Sequence, residues 1–187
     1  MSRAPYYPLF ADLRGRRCVV IGAGPIAERK AFALLRCGAR VTLVGPSVTR
    51  RLARAIRQQR LRHVARRFRA ADVRGAWLAI AATDDPVVNA SVVRAAGRRQ
   101  ILTNVVDQPA HCSFIAPAIL RHGRLAIAIS TGGASPSLAK RIRRDLAQRV
   151  RREYAPALRL LAALRPIVRQ TLPSYGARKR YFDRLQT

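Results

Sequence analysis

The stretch Val19–Ala31, VVIGAGPIAERKA, constrains this chain more than any other. An apolar run ends in Gly-Ala-Gly and is followed by a proline suited to the first turn of a helix. That order predicts a strand, a tight turn and a helix in immediate succession. In the G-x-G-x-x-A spacing of Gly22, Gly24 and Ala27, the first glycine permits the turn. The second lets the backbone approach a pyrophosphate, and the small Ala27 lets helix and strand pack closely. The N-terminus of a helix opening at Pro25 then faces the anion.

The sequence beyond this motif repeats its grammar. Strands are predicted over Arg17–Ile21, Val41–Val44, Leu61–Ala65, Trp77–Ala82 and Ile101–Val106, alternating with helices over Pro25–Cys37, Val48–Gln59 and Asp85–Gly97. Such alternation implies βαβ units and a Rossmann-like parallel sheet, an α/β fold. After Asp107 the pattern changes. Ser113–Leu120 and Leu125–Ser130 read as a hairpin turning at Gly123, and a helix opens at Pro136 and runs to about Arg151. From Glu153 onward short helices are expected, broken by Pro156, Pro166, Pro173 and Gly176. The expected organisation is a dinucleotide-binding domain over 1–112, a small α+β domain over 113–151 and a helical region over 152–187.

Charge is the loudest feature of the composition and the least specific. The net charge is +28, but lysine occurs only at Lys30, Lys140 and Lys179, and the other 34 basic residues are arginines spread along the chain. Phosphate-binding patches usually cluster both residue types, so a solvated, arginine-rich surface explains the charge, and a polycarboxylate partner is the next reading. Tyr175, Tyr181 and Phe182 mix with arginines in the tail, which keeps a basic nucleic-acid-binding module in view, although nothing resembles a helix-turn-helix or RNP motif. No apolar run reaches the ~20 residues that span a bilayer. Cys18, Cys37 and Cys112 form no metal or disulfide pattern, which reads as a reducing, cytoplasmic setting, and His111 beside Cys112 lacks a second ligand pair, so no resident metal is expected.

The scarce acids say more. There are nine Asp and Glu residues. In an open parallel sheet, ligands bind beyond the carboxyl ends of the strands. AATDDP puts Thr83, Asp84 and Asp85 beyond the fourth strand, with one of the two aspartates expected to cap the next helix. TNVVDQP puts Asn104 and Asp107 at or beyond the fifth. A second glycine-rich segment, Ser130-Thr131-Gly132-Gly133-Ala134-Ser135, precedes a helix and suits a substrate carboxylate. One feature is missing. NAD sites commonly carry an acid at the end of the second strand, where this chain has Val44-Gly45-Pro46-Ser47. Ser47 and the local backbone must take the ribose, Arg50 and Arg51 just downstream could attract a 2′-phosphate, and the residues alone leave NAD and NADP both open.

IGAGPIAERKA, LAIAATDDPVVN, TNVVDQPAHCSFIAPA and ISTGGASPSLAKRIR occur in the order and spacing of one family. The chain resembles the precorrin-2 dehydrogenase/sirohydrochlorin ferrochelatase module of siroheme synthases, from about Pro8 to Arg151, without their fused methyltransferase. The resemblance implies oxidation of precorrin-2 to sirohydrochlorin with NAD⁺, followed in many members by insertion of Fe²⁺ to give siroheme, with iron as a substrate. Some members are dehydrogenases only, and a non-catalytic NAD(P)-binding regulatory domain would leave Asp107 without a purpose. The resemblance further implies a homodimer joined through the region after Asp107, and an absent acid after the second strand as normal. By position, Gly22, Gly24, Pro25, Ile26, Pro46 and Ser47 would line the NAD site, and Asp107 would be the carboxylate serving both activities. With the uncharged Gly45-Pro46-Ser47, it implies NAD⁺ rather than NADP⁺.

Overall fold

Alternate residues of the first strand point to opposite faces, and both faces are apolar. Cys18 and Val20 face one way, Val19 and Ile21 the other, and all four are buried. That pattern demands cover on two sides, and the computed structural model of the protein, which describes residues 6–150 and 154–185, supplies it. Strands β1 (Arg17–Ile21), β2 (Arg40–Val44), β3 (Arg62–Val64), β4 (Leu78–Ala81) and β5 (Leu102–Val105) form a parallel sheet in the order β3-β2-β1-β4-β5. Helices α1 (Pro25–Arg36) and α2 (Arg50–Arg57) cover one face through Ala27, Ala31, Phe32, Leu34, Leu52 and Ala55. Helix α3 (Pro86–Gly97) covers the other through Val92, Ala95 and Ala96. The chain order reverses between β1 and β4, and a ligand crevice belongs there.

The chain divides into two units between Ala116 and Pro117. In the second, β6 (Ala118–His122) and β7 (Leu125–Ile129) form an antiparallel hairpin turning at Gly123, whose φ is 58°. Helices α4 (Pro136–Arg149), α5 (Tyr154–Thr171) and α6 (Tyr175–Arg184) follow. The first hairpin strand starts at Ala118 rather than Ser113, because Ser113 is stitched to the first unit. Its N–H donates to Thr103 O at 2.9 Å, and Thr103 N–H donates to its Oγ at 2.7 Å. Helix α2 starts at Arg50 rather than Val48, where Thr49 accepts from Leu52 N–H as its cap.

The C-terminal helices correct another expectation. Pro156 and Pro166 do not break α5, since Pro156 lies in its first turn and Pro166 within it. Pro173 does separate α5 from α6, which Ser174 caps, whereas Gly176 lies inside α6. The expected end of α4 at Arg151 and the onset at Glu153 lie outside the described residues.

Candidate active site

In-register pairing brings four connections to one edge of the sheet. Ile21 pairs with Val44 and Ala81, and Ala81 with Val105, so Gly22, Gly45, Ala82 and Val106 follow the strands side by side. Gly22 N–H donates to Val44 O, Ala82 N–H to Ile21 O and Val106 N–H to Ala81 O. At Gly22 φ is 102°, and a Cβ there would drive into the carbonyl of Ala82. Only glycine fits.

Gly24 is the N-cap of α1, with no side chain capping the helix. A Cβ at Gly24 would meet nothing within 4 Å. Open space therefore lies over a first turn whose N–H groups lack intrahelical partners, including those of Ile26 and Ala27, and a pyrophosphate fits such ground. Pro25 and Ile26 are exposed at this turn, and Pro46 and Ser47 are exposed beyond β2.

On the other side of the crevice, Thr83 sits against Gly22 and donates its hydroxyl to Asn89 Oδ1 at 2.8 Å. Asp85 is the helix cap, accepting from Val87 and Val88 N–H at 2.9 and 3.2 Å. Asp84 is left exposed. Asn104 is buried and turned inward, where its amide nitrogen donates to Phe114 O at 3.1 Å and to Cys112 Sγ at 3.5 Å.

Asp107 lies in the turn just beyond β5. Gln108 N–H donates to Val105 O at 3.3 Å, and Asp107 has φ 58°, a left-handed conformation that aspartate tolerates and most residues avoid. Its carboxylate is exposed and accepts no hydrogen bond among the described residues. The turn is clamped from beneath by Cys112, which sequence reading treated only as a failed metal ligand. Its sulfur accepts from Val105 N–H at 3.1 Å, and its thiol reaches Val105 O and Gln108 O, both at 3.3 Å. Lys30 on α1 is half-buried. Burial, with Arg29 adding, pushes its ammonium below the ordinary lysine value, while Cys112 and Asp107 pull it back up. A cation of the fingerprint helix thus lies within electrostatic reach of Asp107.

The second glycine-rich loop belongs to the other unit and is tied to itself. Thr131 Oγ1 donates to Ser135 O and accepts from Ser135 N–H, both at 3.0 Å, and Ser130 Oγ accepts from Gly132 N–H at 3.0 Å. Gly132 and Gly133 have φ of 65° and 91°. Ser135 caps α4 by accepting from Leu138 N–H at 3.2 Å. Among the described residues no three His, Cys, Asp or Glu side chains gather as a metal site would need.

A family model described as "Putative NAD(P)-binding" matches residues 9–118, and one described as "Sirohaem biosynthesis protein central" matches residues 122–149. The chain is 38% identical over 180 residues to a siroheme synthase of Photobacterium profundum, covering 96% of this chain and 38% of that protein. To a siroheme synthase of Methylobacillus flagellatus it is 41% identical over 175 residues, covering 94% of this chain and 37% of that protein. It therefore spans less than two fifths of the length of these relatives. Among solved structures, SirC, a precorrin-2 dehydrogenase, matches with a TM-score of 0.79 at 30% identity, over 94% of this chain and 86% of that one. Both the crevice half and the hairpin half thus find their counterparts in one group of proteins, and the chain belongs to the siroheme synthase and precorrin-2 dehydrogenase family.

Proposed function

We propose that this chain oxidises precorrin-2 to sirohydrochlorin with NAD⁺. The observation that carries the reading is Asp107, an exposed carboxylate without a hydrogen-bond donor among the described residues, held in a left-handed turn on the edge where the glycine crevice opens. The extended likeness to a precorrin-2 dehydrogenase supports it. Oxidation removes one hydride and one proton from the macrocycle. NAD⁺, when bound, provides the hydride acceptor.

The chain's own residues do the remainder. Gly22 and Gly24 leave room for the pyrophosphate, which the first turn at Pro25 and Ile26 receives. Pro46 and Ser47 border the adenosine end. Thr83 and Asp84 border the nicotinamide end, and Asn104 shapes that wall from behind. Asp107 accepts the proton. The second unit, taken by itself, offers Ser130, Thr131, Gly132, Gly133 and Ser135 at the N-terminus of α4, a setting that suits carboxylates such as the substrate carries. Three free cysteines support a reducing, cytoplasmic setting.

Replacing Asp107 with Asn keeps the shape and removes the base. Loss of a general base costs ~10²–10⁴-fold in rate. Absorbance spectroscopy with precorrin-2 and NAD⁺ should show a loss in that range while NAD⁺ still binds. Near-normal oxidation by the folded variant would remove Asp107 from the mechanism.

A second step is favoured by the siroheme synthases among the relatives. Insertion of Fe²⁺ into sirohydrochlorin releases the two pyrrole N–H protons, and one carboxylate facing the macrocycle serves there as well. Anaerobic addition of Fe²⁺ to sirohydrochlorin and the protein tests this. If siroheme forms no faster than without protein, the activity is dehydrogenation alone.

A further inference from the structure

The sequence lacks an acid at the end of β2, and the fold brings one there from a different element. Glu28 sits on α1, one turn past Gly24, and its N–H donates to Gly24 O. Its carboxylate meets the β2–α2 connection directly after Pro46-Ser47. Thr49 Oγ1 donates to Glu28 Oε2 at 2.5 Å, and Arg51 Nη1 donates to Oε1 at 3.3 Å. The Glu28 side chain is only 18% exposed, against 68% for Arg51. The Arg51 guanidinium also lies 4.4 Å over the ring of Phe32, one turn further along α1. Of the two arginines able to meet a 2′-phosphate, one is therefore already engaged by a carboxylate and an aromatic face.

We infer that Glu28 sets the choice between NAD⁺ and NADP⁺. It supplies from α1 the negative charge that such sites commonly carry on the second strand, and it holds the Arg51 guanidinium away from a 2′-phosphate. Both effects act against the phosphorylated cofactor, one by repulsion and one by withdrawing the cation that would pair with it. Thr49 fixes the device in place, since the hydroxyl that donates to Glu28 also accepts from Leu52 N–H at 3.2 Å as the cap of α2. The inference rests on the dinucleotide reading of the crevice.

Calorimetric titration of the full chain with NAD⁺, NADP⁺, 5′-AMP and 2′,5′-ADP tests it without turnover. The wild type should favour NAD⁺ over NADP⁺, and 5′-AMP over 2′,5′-ADP, by about tenfold or more. Glu28→Gln should narrow both preferences by about tenfold, chiefly through tighter binding of the phosphorylated ligand. Adding Arg51→Ala to that variant should cancel the gain. Arg51→Ala alone, which leaves Glu28 uncompensated, should widen the preference for NAD⁺ and serves if Glu28→Gln does not fold. Unchanged preferences in a folded Glu28→Gln protein would overturn the inference while leaving the proposed function standing, and would point to Arg50. Failure of the wild type to bind any of the four ligands would overturn both.

Discussion

Single residues in this chain carry obligations that their neighbours in sequence do not announce. Asp72 is the clearest. Its carboxylate accepts from Arg66 Nη1 and Nη2 at 2.9 and 2.7 Å and from Arg69 N–H at 2.7 Å, and its carbonyl accepts from Arg17 at 2.8 Å. The Arg66 hydrogen bonds hold the Asp72 carboxyl below its ordinary value, against the opposing effect of burial. A carboxylate depressed in the folded state stabilises the protein above its unfolded value, ~3.9, and loses that contribution as pH falls through the folded value. Asp72→Asn should therefore cost about 1–2 kcal/mol at pH 7. Urea melts at pH 7 and at pH 3 provide the check, because the gap between wild type and variant should shrink in acid. A constant gap would mean that shape, rather than charge, holds the segment.

At the scale of elements, a proline inside α5 offers a sharper test than the helix boundaries do. Pro166 has no N–H to donate to the carbonyl of Ala162, and a proline within a helix costs roughly 3 kcal/mol. Pro166→Ala should raise the thermal midpoint. A fall would show that Pro166 contributes more through its fixed φ than its missing N–H costs, in a helix whose Val168 is buried two residues on.

That helix also marks the limit of what the sequence conveys. The five parallel strands, α1 and α3 were legible, because apolar runs, the Gly22–Gly24 turn and the cap before Pro86 are local signals. Helix α5 was read as broken because proline was weighed without its position: Pro156 falls in the first turn, where its missing N–H costs nothing, and only Pro166 lies within the helix. The start of β6 was misread because Ser113 is held by Thr103, ten residues away. In the site, the placement of Asp107 beyond β5 could be reasoned from the sheet alone. The inward turn of Asn104, the sulfur clamp of Cys112 and the reach of Glu28 to Thr49 could not, since each depends on which side chain meets which across separate elements.

The molecule as a whole has to live with a net charge of +28 and an incompletely covered second unit. A two-stranded sheet such as β6–β7 is marginal by itself and has open edges. Ile119 on β6 and Leu138 on α4 remain exposed. We expect a homodimer joined through the region that follows Asp107, a C₂ pairing being the commonest way to cover such a surface. Sedimentation equilibrium at micromolar concentration should report twice the 20.7 kDa chain mass. A monomer would mean that the hairpin is stable uncovered. Among the described residues, no helix is long and apolar enough to cross a membrane.

The cysteines give the folded chain a built-in reporter. Cys37 is exposed, whereas Cys18 and Cys112 are buried. Burial pushes the Cys18 thiol up to about 11, and Cys112 is engaged beneath the Asp107 turn. A chromogenic disulfide reagent at neutral pH should therefore modify one thiol promptly in the native protein and three in urea. The slow second and third equivalents time two separate events. Cys18 reports opening of the central strand β1, and Cys112 reports loosening of the turn that presents Asp107. If Cys112 reacts well before Cys18 under mildly denaturing conditions, the edge proposed to carry the proton transfer melts before the sheet, and activity should vanish while the dinucleotide-binding core still stands.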